Sequence, residues 1–428
     1  MRKRLAGRDS VTGVFAVEDD SIQLMWRDLP AEWVTFEVGD SVVEVARPAP
    51  AVLHRRRRWR PERGYKPVVA LGHPGCAVVS GLSAETSYDV LMSGPGVRRQ
   101  RVATVRTLAP PPGRQLGRFA TISDMHLGDR YFGALGTISP QPGTAPDAAG
   151  SIEDGYSYKS ARATIDQALA WGAEMLLVKG DLTHDARPVE FKAAAKLLEA
   201  VPVPVLVVLG NHDALVGLKQ ADGAAILRSR GIHVTSEVSS HPFAGLKIIM
   251  VHTPTSGHRR GVVDSELREG IARAVGDAPG AAFVALHHQP DPRRVRWAYP
   301  PGMVPSDARR LLDAIAAANP STFLSAGHTH QHHRRTHGPL VVTEVGSTKD
   351  FPGGWAGYAV HEGGIRQVVR RTAGDEVVGW TEATGASLFG LWAPWSVGRM
   401  DWRCFSHTWP EKGRPETATM VAAEEVGG

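Results

Sequence analysis

An α/β protein preceded by a strand-rich region is the fold class this sequence predicts, and three observations predict it. Short β-rich stretches fill residues 11–108, and no helical period lasts three turns there. From Phe119 onward, apolar runs of strand length alternate with helical stretches. Asp, Asn and His motifs then recur where those apolar runs stop. Nearly continuous apolar strands alternating with helices are the mark of sheets covered on both faces.

In the N-terminal region, Val11 to Val17, Ser21 to Trp26, Trp33 to Val38 and Ser41 to Ala46 are β-rich and broken by Asp, Gly and Pro. Lys66 to Leu71 and Val97 to Leu108 are further strand candidates. Regular strands with turn signals predict a small sandwich of roughly 100 residues. The Pro110-Pro-Pro-Gly113 segment reads as a stiff connector, so the first unit is placed at residues 1–113.

The second unit is placed at residues 114–371. Phe119 to Ile122 is a short apolar strand, and a helix is expected from Ser160 to Trp171, followed by a strand from Met175 to Val178. Pro188 opens the next helix, which runs to Ala200 with Phe191, Ala194, Leu197 and Leu198 on one side. Val203 to Leu209 is the next strand. Helices near Ser265 to Val275 and Asp307 to Ala318 each precede an apolar run, Ala281 to Leu286 and Thr322 to Ser325. Residues 131–159 are rich in Gly, Pro, Ser and Ala and too long for an ordinary connection; they read as a disordered insertion or a flap. Residues 372–428 form a Trp-rich extension whose aromatics pack in a core or border a pocket, ending in a weakly ordered tail.

Composition excludes several classes. With 42% apolar residues the chain is well outside the disordered range. A net charge of +5 over 428 residues is too small to signal nucleic-acid binding. The basic run Arg55-Arg-Arg-Arg-Trp-Arg60 is expected in a solvated loop between two strands. Cys76 and Cys404 are the sole cysteines, so at most one disulfide forms and a disulfide scaffold is excluded. No apolar stretch approaches 18 residues, so no membrane segment is expected. The basic N-terminal head lacks the apolar run of a secretory signal, which gives a cytoplasmic reading.

Five motifs sit where expected strands end: Asp124-Met-His126, Gly180-Asp181, Gly210-Asn-His-Asp213, His287-His288 and Gly327-His-Thr-His330. Ligands of open α/β sheets gather at the carboxyl ends of strands. Carboxylates and imidazoles suit divalent ions such as Mn, Fe and Zn, and no cysteine lies near to suggest a structural zinc site. A glycine before Asp181, Asn211 and His328 is expected to let the backbone turn tightly. In Asp124-x-His126 and His328-x-His330, an extended segment would put both side chains on one face.

Together and in this order, the motifs resemble those of the calcineurin-like metallophosphoesterase superfamily. The stretch from Gly180-Asp-Leu-Thr183 to Gly210-Asn-His-Asp213 is similar to the class III cyclic-nucleotide phosphodiesterase branch. The resemblance covers roughly residues 117–370 and implies two facing sheets flanked by helices in four layers, αββα. It implies a first metal held by Asp124, His126, Asp181 and His330, and a second held by Asp181, Asn211, His287 and His328, with Asp181 bridging. His287 is the ligand of its pair by position. His212 is implied to approach substrate, oriented by Asp213. Strand-rich domains before the catalytic part look like those of purple acid phosphatases, whose iron-ligating tyrosine is absent here; His184 stands at that point.

The expected function is therefore hydrolysis of a phosphoric ester by water activated between two metal ions, most directly a phosphodiesterase acting on a cyclic nucleotide or similar small phosphodiester. A phosphomonoesterase, or a phosphatase of a secondary metabolite or phospholipid headgroup, uses the same residues. A non-catalytic metal-stabilised binding protein is the third reading. The expected partner is a small phosphate ester.

Overall fold

The computed structural model describes residues 12–50, 52–56, 65–70, 72–129, 138–139, 151–214, 220–255, 257–293 and 300–410. In the N-terminal region, Gly13–Val17, Ser21–Trp26 and Gly75–Ser80 form a three-stranded antiparallel sheet. Ser41–Ala46, Trp33–Val38, Ser87–Gly94 and Val97–Arg106 form a four-stranded one. Alternate residues of these strands, among them Phe15, Leu24, Trp26, Val34, Phe36 and Val90, are buried in a shared interior. The hairpin from Trp33–Val38 to Ser41–Ala46 turns at Gly39, whose φ of +59° favours glycine and whose missing Cβ leaves room for the Tyr88 ring. The strands Gly75–Ser80 and Ser87–Gly94 were not among the sequence expectations. Arg55 and Arg56 of the basic run lie in a strand, Val52–Arg56, which pairs with Tyr65–Ala70 and with Ile138–Ser139. Arg57 to Arg60, and most of the 131–159 segment, lie outside the described residues.

Two larger sheets follow. The seven-stranded sheet runs in the order His233–Val234, Val205–Val208, Leu176–Lys179, Gln115–Ile122, Gly354–His361, Gly364–Arg371 and Cys404–Thr408. The six-stranded sheet runs Val238–Phe243, Leu246–Val251, Ala282–Leu286, Thr322–Ala326, Leu340–Glu344 and His333–His337. Helices Tyr156–Ala170 and Pro188–Glu199 cover the outer face of the first, and Ser265–Gly276 and Pro305–Ala318 that of the second. This is the four-layer arrangement expected from the resemblance.

Period-two side-chain alternation assigns each strand residue to a layer. Leu177 faces the inter-sheet core while Leu176 and Val178 face the helices. Phe283 and Ala285 likewise face inward, and Ala282, Val284 and Leu286 outward. Both faces are apolar, which is why these strands read as unbroken hydrophobic runs. Between the sheets the rings of Phe119 and Phe283 meet edge-on at 4.9 Å, and Tyr358 stacks on Phe119 at 4.8 Å. The Tyr358 hydroxyl bonds Ser325 Oγ and Gln367 Oε1, both at 3.0 Å, so this buried ring leaves its polar end satisfied.

The N-terminal sheets dock on Gly364–Arg371, next to the far edge of the seven-stranded sheet. Glu18 pairs with Arg370 at 2.8 Å and Asp19 with Arg366. The Gln23 amide donates to the Arg371 carbonyl and accepts from its N–H, both at 2.8 Å. The tryptophan-rich segment folds back through helix Asp375–Gly385 and two short helices, and its strand Cys404–Thr408 completes the seven-stranded sheet. Cys76 and Cys404 are both free thiols. Among the described residues, no helix is long and apolar enough to cross a membrane.

Candidate metal centre

Gln115–Ile122, Leu176–Lys179 and Val205–Val208 are parallel neighbours in one sheet, and Ala282–Leu286 and Thr322–Ala326 are parallel neighbours in the other. The two sheets face each other, so all five motifs emerge along one shared edge. The structure brings all seven expected metal-site side chains together there.

They form two groups joined at Asp181. In the first, His126 Nε2 lies 3.1 Å from His330 Nε2, and His330 Nε2 lies 3.4 Å from Asp124 Oδ1. In the second, His287 Nε2 lies 3.1 Å from Asn211 Oδ1, and the His328 ring centroid is 5.0 Å from that of His287. Asp181 spans the gap. Its Oδ2 is 3.5 Å from His126 Nε2, and its Oδ1 is 3.4 Å from His287 Nε2. Asp124, His126 and His330, and likewise Asp124, Asp181 and His287, each offer ligand atoms lying within 4.8 Å of one another.

Hydrogen bonds fix which ring nitrogen faces inward. A carbonyl oxygen only accepts, so its partner nitrogen must carry the proton. His287 Nδ1–H donates to the Lys179 carbonyl at 2.7 Å, leaving Nε2 turned toward Asp181 and Asn211. His328 Nε2–H donates to the Pro301 carbonyl at 3.3 Å, leaving Nδ1 with the lone pair. His330 Nδ1 bonds the buried Asp350 carboxylate, leaving Nε2 for the first group. A histidine whose outer N–H is held by a carbonyl or carboxylate is the usual posture of a metal ligand.

The electrostatics agree with a cation site. Burial opposes ionisation of Asp124 and Asp181, yet the neighbouring imidazoles hold both carboxyls below the ordinary carboxylate range. Burial also opposes charge on the imidazoles, but Asp181 outweighs it at His287, which is pushed up to about 9. Asp124 and Asp350 do the same at His330, pushed up to about 10. Two ionised carboxylates and converging imidazole nitrogens, with no cysteine, fit a dinuclear site for divalent ions of the Mn, Fe or Zn type. Beneath it Lys179 is buried, with Nζ donating to Ser325 Oγ at 2.9 Å and the Ala326 carbonyl at 2.7 Å, which ties the two sheets together.

Three local expectations need correction. The Asp-x-His and His-x-His segments are not extended: Asp124, His126, His328 and His330 have φ of +55°, +45°, +70° and +54°, and Asp181 +50°. Left-handed backbone turns both side chains of each pair inward as the chain curls off the strand, and Asp124 N–H and His126 N–H are satisfied by the carbonyls of Gly180 and Asp181. The glycines also divide by cause. Gly180, at φ +86°, meets a conformational need, whereas Gly210 and Gly327 meet a spatial one. A Cβ on Gly210 would overlap the Asp181 carboxylate, and one on Gly327 would lie 2.8 Å from Asp124 Oδ2. Lastly, Asp213 does not orient His212. Its carboxylate accepts from the N–H groups of Leu182, Thr183 and Gly210 and from the Thr183 hydroxyl at 2.8–3.1 Å. Neighbours on a single 3-10 turn point apart, and His212 Nδ1–H donates instead to the His184 carbonyl at 2.8 Å.

His212 lines a cavity of about 260 Å³ together with His126, Asp181, Asn211, His328 and His330. His288 stands behind His287, with Nδ1 bonded to Thr253 Oγ1 at 2.8 Å. Sequence reasoning missed Asp350 and its neighbour Lys349, whose Nζ lies 2.6 Å from Asp129 Oδ2 and 3.2 Å from Asp350 Oδ1. A signal was present. Leu340–Glu344 is a sixth apolar strand followed by Gly346 and Ser347, the same strand-then-turn pattern as the five motifs.

Four layers with a two-cation donor set on the common strand edge define a metallophosphoesterase-type scaffold. The chain belongs to the calcineurin-like phosphoesterase family, whose pattern matches residues 117–332. It is similar to the glycerophosphodiester phosphodiesterase GpdQ of Enterobacter lignolyticus, 25% identical over 164 residues that make up 37% of this chain. The match spans 56% of that relative. Among solved structures it is similar to PhoD at 10% identity and TM-score 0.39, covering 83% of this chain and 85% of that one. It is also similar to the purple acid phosphatase PPD1 of yellow lupin, Lupinus luteus, at 11% identity and TM-score 0.43, covering 85% and 72%.

Proposed function

We propose that this protein hydrolyses phosphoric esters at a dinuclear metal centre, and that its substrate is a small phosphodiester. The observation that carries the reading is the division of the Asp181 carboxylate between two ligand groups, 3.5 Å from His126 on one side and 3.4 Å from His287 on the other. In this reading Asp124, His126, Asp181 and His330 hold one ion, and Asp181, Asn211, His287 and His328 the other. When bound, such a pair acidifies a water, neutralises phosphoryl oxygens and stabilises the charge of an in-line displacement.

The chain's own groups supply the rest. His212 reaches the cavity with Nδ1–H fixed on the His184 carbonyl, which leaves Nε2 to exchange a proton with the leaving alkoxide. The His212 backbone N–H donates to Asp181 Oδ1 at 2.8 Å and so fixes the bridging carboxylate. Asp213, through four donors from the Asp181 and Asn211 loops, holds those two loops in register. The diester preference is supported by the motif stretch from Gly180 to Asp213, similar to the cyclic-nucleotide branch, and by the phosphodiesterase name of the Enterobacter relative. Turnover of bis(p-nitrophenyl) phosphate against p-nitrophenyl phosphate, with Mn restored after chelation, tests it. Metal-dependent turnover with the diester preferred is expected. Preference for the monoester would move the assignment to a phosphomonoesterase, and turnover of neither would refute hydrolysis.

A further inference from the structure

Five residues lining the cavity, Arg259, Pro300, Pro301, Trp392 and Trp395, come from neither the metal-type motifs nor the strands that carry them. Trp392 and Trp395 belong to the short helix Trp392–Ser396 in the tryptophan-rich segment, and both line the same 260 Å³ space as His126, Asp181 and His330. Trp392 meets the His330 ring at 6.4 Å and 78°, and Trp395 meets Trp392 at 4.9 Å and 42°. The two indoles therefore form a wall that starts at a residue of the proposed metal site and leads outward. Trp395 is 40% exposed, an unusual state for so large an aromatic ring. Arg259, an exposed cation, also lines the space.

We propose that this wall is a subsite for a planar aromatic group esterified to the phosphate, an inference that rests on the hydrolase reading above. A phosphoryl group at Asp181 and His330 places the first atoms of its ester substituent against Trp392. Offset or tilted contact of a ring with indole is favourable at centroid separations of about 4.5–7 Å, and the 40% exposure of Trp395 leaves indole surface for such a contact. At about 260 Å³ the space lies just below the usual range of small-ligand pockets, ~300–1,000 Å³. It suits a phosphate bearing one ring system. Arg259 favours an anion in the same space without selecting the substituent.

Equilibrium binding tests the subsite apart from catalysis. The Mn-loaded full chain is titrated calorimetrically with phenylphosphonate, methylphosphonate and hexylphosphonate. Phenylphosphonate is expected to bind about tenfold or more tighter than methylphosphonate, the order of one aromatic stacking contact. It is also expected to bind tighter than the hexyl compound. Trp395→Ala should bring the phenyl and methyl affinities close together, and Trp395→Phe should retain most of the difference. Equal phenyl and methyl affinities in the unmodified protein would overturn the subsite, and equal phenyl and hexyl affinities would overturn its aromatic character. A parallel kinetic arm compares phenyl and methyl p-nitrophenyl phosphate, which share a leaving group. Aromatic preference in binding with no turnover of either ester refutes the hydrolase reading and leaves the subsite standing. Turnover of both at equal kcat/KM, with equal binding, refutes the subsite alone.

Discussion

Asp181→Asn isolates the charge on which the two-ion reading turns. Asparagine has the shape of aspartate, keeps an oxygen for the His212 N–H, and tolerates the +50° φ of this position better than most residues do. The fold should therefore survive, and what disappears is one negative charge lying 3.5 Å from His126 on one side and 3.4 Å from His287 on the other. A unit charge pair about 4 Å apart, at an effective dielectric near 20, is worth about 4 kcal/mol. At about 1.4 kcal/mol per decade this is close to a thousandfold in a dissociation constant. Part of it is returned by the ion's own solvation, so each ion should bind about 10²–10³-fold more weakly and turnover should fall at least as far. Elemental analysis after gel filtration measures the first, and bis(p-nitrophenyl) phosphate hydrolysis under Mn titration the second. If the variant keeps both ions at unchanged affinity, with full turnover, Asp181 does not bridge.

Other perturbations separate the remaining roles. His212→Ala should lower turnover about 10²-fold or more while metal content stays near normal; loss of the ions instead would make His212 a ligand. Asp350→Asn removes the carboxylate that holds His330 Nδ1–H, and metal affinity should fall about 10–100-fold in a Mn titration. An unchanged titration would reduce Asp350 to a partner of Lys349. Gly327→Ala introduces a methyl 2.8 Å from Asp124 Oδ2 and against the Ser123 hydroxyl. It should cost about 1–3 kcal/mol in denaturant unfolding as overpacking does, with weaker metal binding. A variant of native stability and affinity would show that the loop has slack there.

How much of this was legible depends on where each residue's information lay. Strands that bury both faces announce themselves, since Phe283, Val284, Ala285 and Leu286 are all apolar whichever layer they enter. The strand Gly364–Arg371 did not. It is buried along its whole length, yet it carries Arg366, Arg370 and Arg371, made tolerable by Asp19, Glu18 and Glu382. Those carboxylates lie hundreds of positions away or beyond the strand, so no local window shows that the arginines are paired, and burying them unpaired would be prohibitive. The role of Asp350 was hidden for a similar reason, although the strand and turn before it were visible. Its meaning arises from His330, twenty residues earlier in sequence and brought beside it by the sheet.

The motifs themselves were legible because their chemistry is concentrated, but their backbone was not. Five of the seven proposed ligands sit at positive φ, and none of them is glycine or asparagine. Each such residue costs on the order of 1–2 kcal/mol, and nothing in a side-chain pattern reveals it. The structure shows what holds the strain. Asp213 gathers the Leu182, Thr183 and Gly210 amides, Asp124 accepts the His328 N–H at 3.1 Å, and the Ser347 hydroxyl donates to the Asp124 carbonyl at 2.7 Å. All of these except the Gly210–Asp213 bond cross between loops of different strands, so no loop keeps its shape alone. The left-handed turns let short side chains from facing sheets converge, where an extended continuation would carry them past one another. Strain at these positions is therefore tied to the convergence of the donor set itself, and removing a cross-loop bond should loosen several ligands at once.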